Sequence, residues 1–416
     1  MKKLSLLMIS ILLCMNVIFA QGASEPAAKD DVTLSVMWFN DANESDVFLD
    51  TIKGYLAENP NVKVDMQVVA FQEYEQKLKL MISGGNPPDI ARVTNNHLAS
   101  LGSSLEPINS YVDDIDAIEA SFMPGSIAFA KNTDGELLAY PTEATANGML
   151  VNLSAWEKAG IDVKELSKTW TWDQWEDAVK KVIAANPNME YGLALDFSPH
   201  RFSTLIYEHG GRMMNSDQTK VDFHNDGAIA AIERFARLHK EGLIPSSVWL
   251  GSENPAELFQ AGLVACHIGG SWNINTYNKN ITDFKWCVVN TPIGEIRSSV
   301  PGGKFIASFK DSKNKKAAMD LMAAFSTKES NEKYCADTFN LSSRIDTDVP
   351  YASNKEDFEV FAEDLKVTPA FTAIEWKNDA VNKVYSYIRE QIVQVLLGNI
   401  SAEKATLNIN KEAEKY

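Results

Sequence analysis

Thr33-Leu34-Ser35-Val36-Met37-Trp38 alternates along the chain with the two-residue period of a half-buried strand. It runs into a polar loop, Phe39-Asn40-Asp41. Val47, Phe48, Ile52, Tyr55 and Leu56 then recur at helical spacing, and that helix must stop before Asn59-Pro60 because proline disfavours helical backbone in the residue ahead of it. Val62, Val64, Met66 and Val68 alternate with Lys63, Asp65 and Gln67, which predicts a second strand. A second helix carries Tyr74, Leu78, Met81 and Ile82 and ends in Gly84-Gly85-Asn86-Pro87-Pro88. Strand, helix, strand, helix, joined by turn residues, predicts a parallel sheet in an α/β domain.

Further along, Thr171-Trp172-Asp173-Gln174 has the form of a capping box, followed by the apolar stripe Trp175, Ala178, Val179 and Val182. Trp175 on that stripe reads as core. Other helices carry Ile229, Ile232, Phe235 and Leu238, then Ala318, Leu321, Met322 and Phe325, and the last long one spans about 378–397. A mature chain of about 400 residues exceeds one ordinary core, so two domains are expected.

The N-terminus bears on compartment. Lys2 and Lys3 precede an apolar run from Leu4 that ends at Ala20, the pattern of a secretory signal, and it is near the short end of the roughly 20 residues a membrane span needs. Residues 1–20 are therefore expected to be removed, 21–30 to form a linker, and the rest to be exported. Acylation at Cys14 is disfavoured because Leu13 stands where a lipoprotein signal has a small residue. Losing residues 1–20 removes Lys2 and Lys3 and no acid, which moves the formal charge from −17 to −19. Such a chain repels phosphate backbones and anionic lipid, so nucleic acid and membrane surfaces are poor partners. Cys266, Cys287 and Cys335 match no zinc pattern. Cys266 and Cys287 lie in strand-like runs, where a disulfide and two buried thiols are both open.

From Asn59 onward a series of short signatures resembles the extracellular solute-binding proteins of ABC sugar importers, the maltose-binding type. They are Glu58-Asn59-Pro60, Gly85-Asn86-Pro87-Pro88-Asp89-Ile90, Tyr140-Pro141, Asn152, Trp156-Glu157-Lys158-Ala159-Gly160, Thr171-Trp172-Asp173 and Gly210-Gly211. Phe259-Gln260-Ala261-Gly262, Gly269-Gly270-Ser271-Trp272, Gly302-Gly303 and Val395-Leu396-Leu397-Gly398 complete the series. Each is weak alone; their collinearity over most of the mature chain is strong. The resemblance implies a two-lobed α/β periplasmic-binding fold of type II, with lobe 1 from 31–143 plus 302–345 and lobe 2 from 144–301 plus 346–416. It also implies carbohydrate capture by hinge closure, delivery to ABC permease subunits, and no catalysis. A monomer without cofactor or metal is expected, in the periplasm or on the outer face of the membrane.

A sugar cleft needs aromatic planes for C–H faces and paired donors and acceptors for hydroxyls, since an orphaned buried polar group costs about 1–3 kcal/mol. Asn40, Asp41, Asn95 and Asn96 stand where the family places polar contacts. Trp38 is either an aromatic platform or a core residue of its strand. Glu143, Thr145 and Asn147 are spaced to share one side of an extended segment, and Thr145 stands where the maltose-binding type carries an acid, which argues against maltose. His200 falls in an expected cleft loop, where stacking and a solvated histidine are both open. Trp272, behind Gly269-Gly270, is the strongest single candidate, with Asn273 beside it and Gly303 offering backbone N–H. Trp249, Arg344 and Trp376 are weaker, and Tyr385 and Arg389 share a helix face in register with an aromatic and an arginine of that type.

Two other classes compete: an exported carbohydrate-active enzyme and a ligand-free adhesin. The chain has no nucleophile elbow, metal-binding helix or Cys/His pattern, and its 56 acidic residues discriminate nothing. Within the binding-protein fold, a polyol, glycerol phosphodiester or peptide is the alternative ligand. Strongly anionic ligands are disfavoured because no Lys/Arg cluster is visible near the cleft loops.

Overall fold

The computed structural model describes residues 31–416, so the segments expected to be a signal peptide and a linker, and Cys14, lie outside the described residues. Val32–Trp38 (β1) pairs in parallel with Val62–Val68 (β2) and with Ile90–Thr94 (β3), as the alternating pattern predicts. The helix expected around Val47 to Leu56 is two pieces, Glu44–Thr51 and Lys53–Glu58, broken at Ile52. Asp89, from the Pro-Pro-Asp turn, stitches this sheet together. It accepts from the Ser35 N–H and Oγ, both at 2.9 Å, and from Ser312 Oγ at 2.6 Å.

The sheet is mixed, not wholly parallel. Pro301–Ala307 (β8) runs antiparallel between β3 and Tyr140–Val151 (β4), because it arrives from a distant segment and not through a βαβ crossover. All twelve residues of β4 are buried. Its first half pairs with β8 and the short Leu341–Ser342 (β9). Its second half pairs with Val264–Gly270 (β6) and Cys287–Val289 (β7), and β6 pairs in parallel with Tyr191–Leu195 (β5).

Two apolar cores flank this shared strand. One draws on residues from Leu34 to Tyr140 and from Phe305 to Cys335; the other runs from Ala144 to Val300 and from Leu341 to Ile409. Trp175 is fully buried in the second core. The capping box ahead of it is formed, with Gln174 N–H on Thr171 Oγ1 at 3.3 Å and Thr171 N–H on Gln174 Oε1 at 2.9 Å.

Strand register decides the cysteine question. Val151 of β4 pairs with Cys266 on one side and Cys287 on the other. The two thiols are thus two strand spacings apart, roughly 10 Å, beyond the roughly 7 Å that a disulfide tolerates between Cα atoms. All three cysteines are free and buried, and burial pushes the Cys266 and Cys287 thiols up to about 12. Residues 21–416 should therefore release three titratable thiols in denaturant and show no mass change on reduction; a gain of two mass units would contradict the register.

Candidate ligand-binding cleft

Loops at the carboxyl ends of β1 and β3 face loops that follow β5 and β6, the usual place for a ligand in an open α/β sheet. Between them lies a cavity of about 1150 Å³. Asn40, Asp41, Phe71, Asn95 and Lys304 line one wall; Thr145, His200, Arg201, Trp272 and Tyr385 line the other.

The floor rests on a buried ionic network. Arg92, fully buried on β3, donates to Glu143 Oε1 at 2.7 Å and to the Phe39 carbonyl at 2.7 Å. Its guanidinium lies 5.4 Å from the Trp38 ring and 4.7 Å from Phe39. Lys304 on β8 pairs with Glu143 at 3.0 Å and with Asp41, so strand and loop are tied under the cleft. Burial raises the Asp41 carboxyl, but Lys304 and Arg92 outweigh it and hold that group below the usual range. Asn40 shapes the same loop, accepting from Ser45 N–H at 2.9 Å and donating to Ser45 Oγ at 2.8 Å.

On the opposite wall a polar chain runs inward from the cavity. Arg201 Nε is 3.5 Å from Asp196 Oδ2, His267 Nε2 lies 2.9 Å from Asp196 Oδ1, and the Tyr277 hydroxyl lies 2.7 Å from His267 Nδ1. Burial raises Asp196, yet the bond from His267 and the charge of Arg201 bring its carboxyl below the ordinary value. Trp272 stands two residues past the end of β6, at the N-cap of the helix Asn273–Asn280, and its ring lies over Gly270, where a Cβ would stand 2.0 Å from two ring carbons. Only glycine permits that fold-back. Gly302 is held between Thr145 and Asn95, whose oxygens a Cβ would meet at 2.7 and 3.2 Å.

His200 is 7 % exposed and its ring centroid lies 4.9 Å from that of Trp376, tilted by 51°, so it is not a solvated loop histidine. Neither ring nitrogen has a well-formed hydrogen bond among the described residues. Burial, then the Arg201 charge, push its pKa down to about 3 against a weaker opposing pull from the Pro301 carbonyl. His97 and His239 are likewise pushed down to about 4, chiefly by burial. For these depressed groups folding stability is complete above about pH 6.5 and falls as pH drops toward the folded values. Asp364, raised to about 6 by burial, has the opposite sign, losing its stabilising contribution as pH rises through about 6. Urea denaturation should show His239→Gln losing stability less steeply than the parent between pH 6.5 and 4.5; an unchanged slope would contradict the burial of that imidazole. His200 stays neutral throughout this range.

Eleven of the residues singled out in the sequence meet at this cavity: Asn40, Asp41, Asn95, Asn96, Thr145, His200, Trp272, Asn273, Gly303, Tyr385 and Arg389. Six stand off its surface, for separate reasons. Trp38 is a core residue 4.7 Å from Phe48. Glu143 is sealed in the ionic network. Asn147 turns to the far helix, donating to the His200 carbonyl and Thr204 Oγ1, both at 3.3 Å. Trp249 props the loop after β5 from behind through the Leu195 carbonyl at 3.0 Å, and Trp376 bonds Ser203 Oγ at 2.9 Å beneath His200. Arg344 forks onto Asp346 and covers Phe122. The sequence reading passed over Phe71, Asp196, Arg201 and Lys304 on the lining, so the expectation of no basic residues gathered near the cleft is corrected: Arg201 and Arg389 line one wall and Lys304 the other. Arg201 and Lys304 each adjoin a singled-out residue, the only local signal for either.

Comparison with known proteins agrees with this geometry. A family model described as bacterial extracellular solute-binding protein matches residues 41–332. A curated binding protein of Brucella abortus is 25% identical over 300 residues, spanning 69% of this chain and 70% of its own length. The diacetylchitobiose binding protein DasA of Streptomyces coelicolor is 23% identical over 244 residues, 58% of this chain and 55% of its own. The solved structure of the ABC substrate-binding protein Lmo0181 from Listeria monocytogenes, in complex with cycloalternan, superposes with a TM-score of 0.81 at 23% identity, covering 93% of this chain and 99% of that one. With a match over most of its length, two cores and a cleft between them, the chain belongs to the bacterial extracellular solute-binding proteins.

Proposed function

We propose that the protein captures a carbohydrate of more than one ring in this cleft, closes on it by hinge motion, and delivers it to the permease subunits of an ABC importer. The observation that carries the reading is the lining. Aromatic planes (Phe71, Trp272, Tyr385) stand among amides and charged groups in a cavity of about 1150 Å³, somewhat above the roughly 300–1,000 Å³ of small-molecule pockets. Relatives named for diacetylchitobiose binding, or solved with cycloalternan, support it.

The exchange of cores between Tyr140 and Ala144 and between Val300 and Phe305 supports lobes of 31–143 plus 302–345 and 144–301 plus 346–416. At the last crossing two residues run against this division: Leu341 packs in the second core and Val349 against the first. The protein acts as an exported monomer, free of lipid, and no helix among the described residues is long and apolar enough to cross a membrane.

Binding without catalysis is favoured by the state of the cleft carboxylates. Glycoside hydrolysis uses an acid whose pKa is raised. Three of the four acids on the lining, Asp41, Asp196 and Glu75, are instead lowered, because cations or His267 outweigh the effect of burial.

The test is a thermal-shift screen of residues 21–416 against sugars, polyols and peptides. A ligand specific to the folded state adds about 2.7 kcal/mol of stability at 100 times its dissociation constant. A saturable shift with a saccharide is expected; a shift with a peptide or polyol alone would remove the carbohydrate assignment and keep the fold.

A further inference from the structure

The charges of the cleft are unevenly matched. Asp41 faces Lys304 and Arg92, and Glu75 faces Lys79. Arg389 has no such counterpart. Its guanidinium lies 4.6 Å from the Phe197 ring centroid, and it forms no ion pair among the described residues. Arg201 is only partly matched. Asp196 gives one oxygen to His267, and the other stays 3.5 Å from Arg201 Nε, which has no well-formed hydrogen bond. The rest of that guanidinium lies over Trp272, 4.3 Å from the ring centroid.

Both arginines flank one loop of the same wall. Arg201 is in the first turn of the helix Pro199–Glu208. Arg389 is on the helix Tyr385–Leu396, whose Tyr385 hydroxyl is 2.9 Å from Ser198 Oγ. In the open cleft, water and the aromatic faces satisfy these cations. Closure removes the water, and a guanidinium left without a counter-charge in a dry site is costly. Sugar hydroxyls offer dipoles only. A carboxylate offers the missing charge and two oxygens that fit the arginine fork. Glu257, the remaining acid on the lining, is exposed at the rim and keeps its hydration.

We propose that the ligand is an acidic carbohydrate, carrying a hexuronic acid residue whose carboxylate seats against Arg201 and Arg389. This rests on the carbohydrate reading above and specifies its class. It reverses the expectation drawn from the absence of a local Lys/Arg cluster, since the cations at positions 201, 304 and 389 come to line one cavity only in the fold.

The experiment is calorimetric titration of residues 21–416 with matched pairs of di- and trisaccharides, α- and β-linked, each neutral sugar set against its uronate counterpart. Glucose 6-phosphate serves as a phosphate arm. The uronate member of at least one pair should bind ten times or more tightly than its neutral partner, with the ratio shrinking as salt rises. In Arg389→Gln and Arg201→Gln, each checked for an unchanged unfolding midpoint, the ratio should fall toward one. A neutral member that binds as tightly as its uronate overturns the acidic-ligand inference and leaves sugar capture standing. Binding of the phosphate ester with no uronate binding overturns the carboxylate. If no member of the set binds, both this inference and the carbohydrate reading fall.

Discussion

Replacing Glu143 by alanine should destabilise the protein by about 3–5 kcal/mol, the usual cost of stripping one partner from a buried ion pair. The side chains of Arg92 and Glu143 are both fully buried, and that of Lys304 is 8 % exposed. Without Glu143, Arg92 keeps the Phe39 carbonyl, the Trp38 and Phe39 rings and a carboxylate of Asp41 at 3.7 Å. Lys304 keeps Asp41, so the loss falls mainly on Arg92. Glu143→Gln, which preserves shape and one acceptor, should fall between parent and alanine. Urea midpoints with m-values separate these outcomes. A loss below about 1 kcal/mol would mean that water reaches Arg92 and that the network is not sealed.

Trp272→Ala should weaken ligand capture by about 2–4 kcal/mol, roughly thirty- to a thousandfold, as truncation of a buried aromatic anchor does. Among the described residues Trp272 is the one tryptophan on the lining, and its ring is held in place by Gly270 and Arg201. Trp249→Ala is the informative contrast. Trp249 is 2 % exposed and sits behind the wall among Phe197, Phe202 and Phe235. Its loss should cost stability first. Calorimetry with the ligand from the thermal screen, beside denaturation of each variant, resolves the pair. If Trp272→Ala keeps its affinity and loses stability instead, the ring is packing and the cleft binds through its polar groups.

What could be read from the sequence was set by how local the signal is. β1, β2 and the capping box at Thr171 depend on neighbours within a few residues, and all three stand where the pattern put them. The Glu143, Thr145, Asn147 spacing was harder. Period two marks a cleft face only when the other face is core, and β4 is buried on both sides, with a register shift between Pro141 and Glu143. Thr145 therefore reaches the cavity while its two partners are engaged inside. Trp38 raised the same difficulty, since one strand position can serve core or cleft. The meeting of Arg201, Lys304 and Arg389 was beyond local reading because three separate elements supply them. Cys266 and Cys287 were undecidable until register placed Val151 between them.

The interleaving of β8 between β3 and β4 has a consequence for the order in which the chain can acquire its shape. The sheet lacks the strand that joins β3 to β4 until residues 301–307 arrive, and β4 lacks its partner β6 until residues 264–270 have been made. A nascent N-terminal half thus exposes unsatisfied backbone on two strands and has no finished sheet to settle into. The pairing at the centre of the sheet can be completed only when almost three quarters of the chain has been made. The order of strands along the chain thus ties completion of the whole sheet to a late segment.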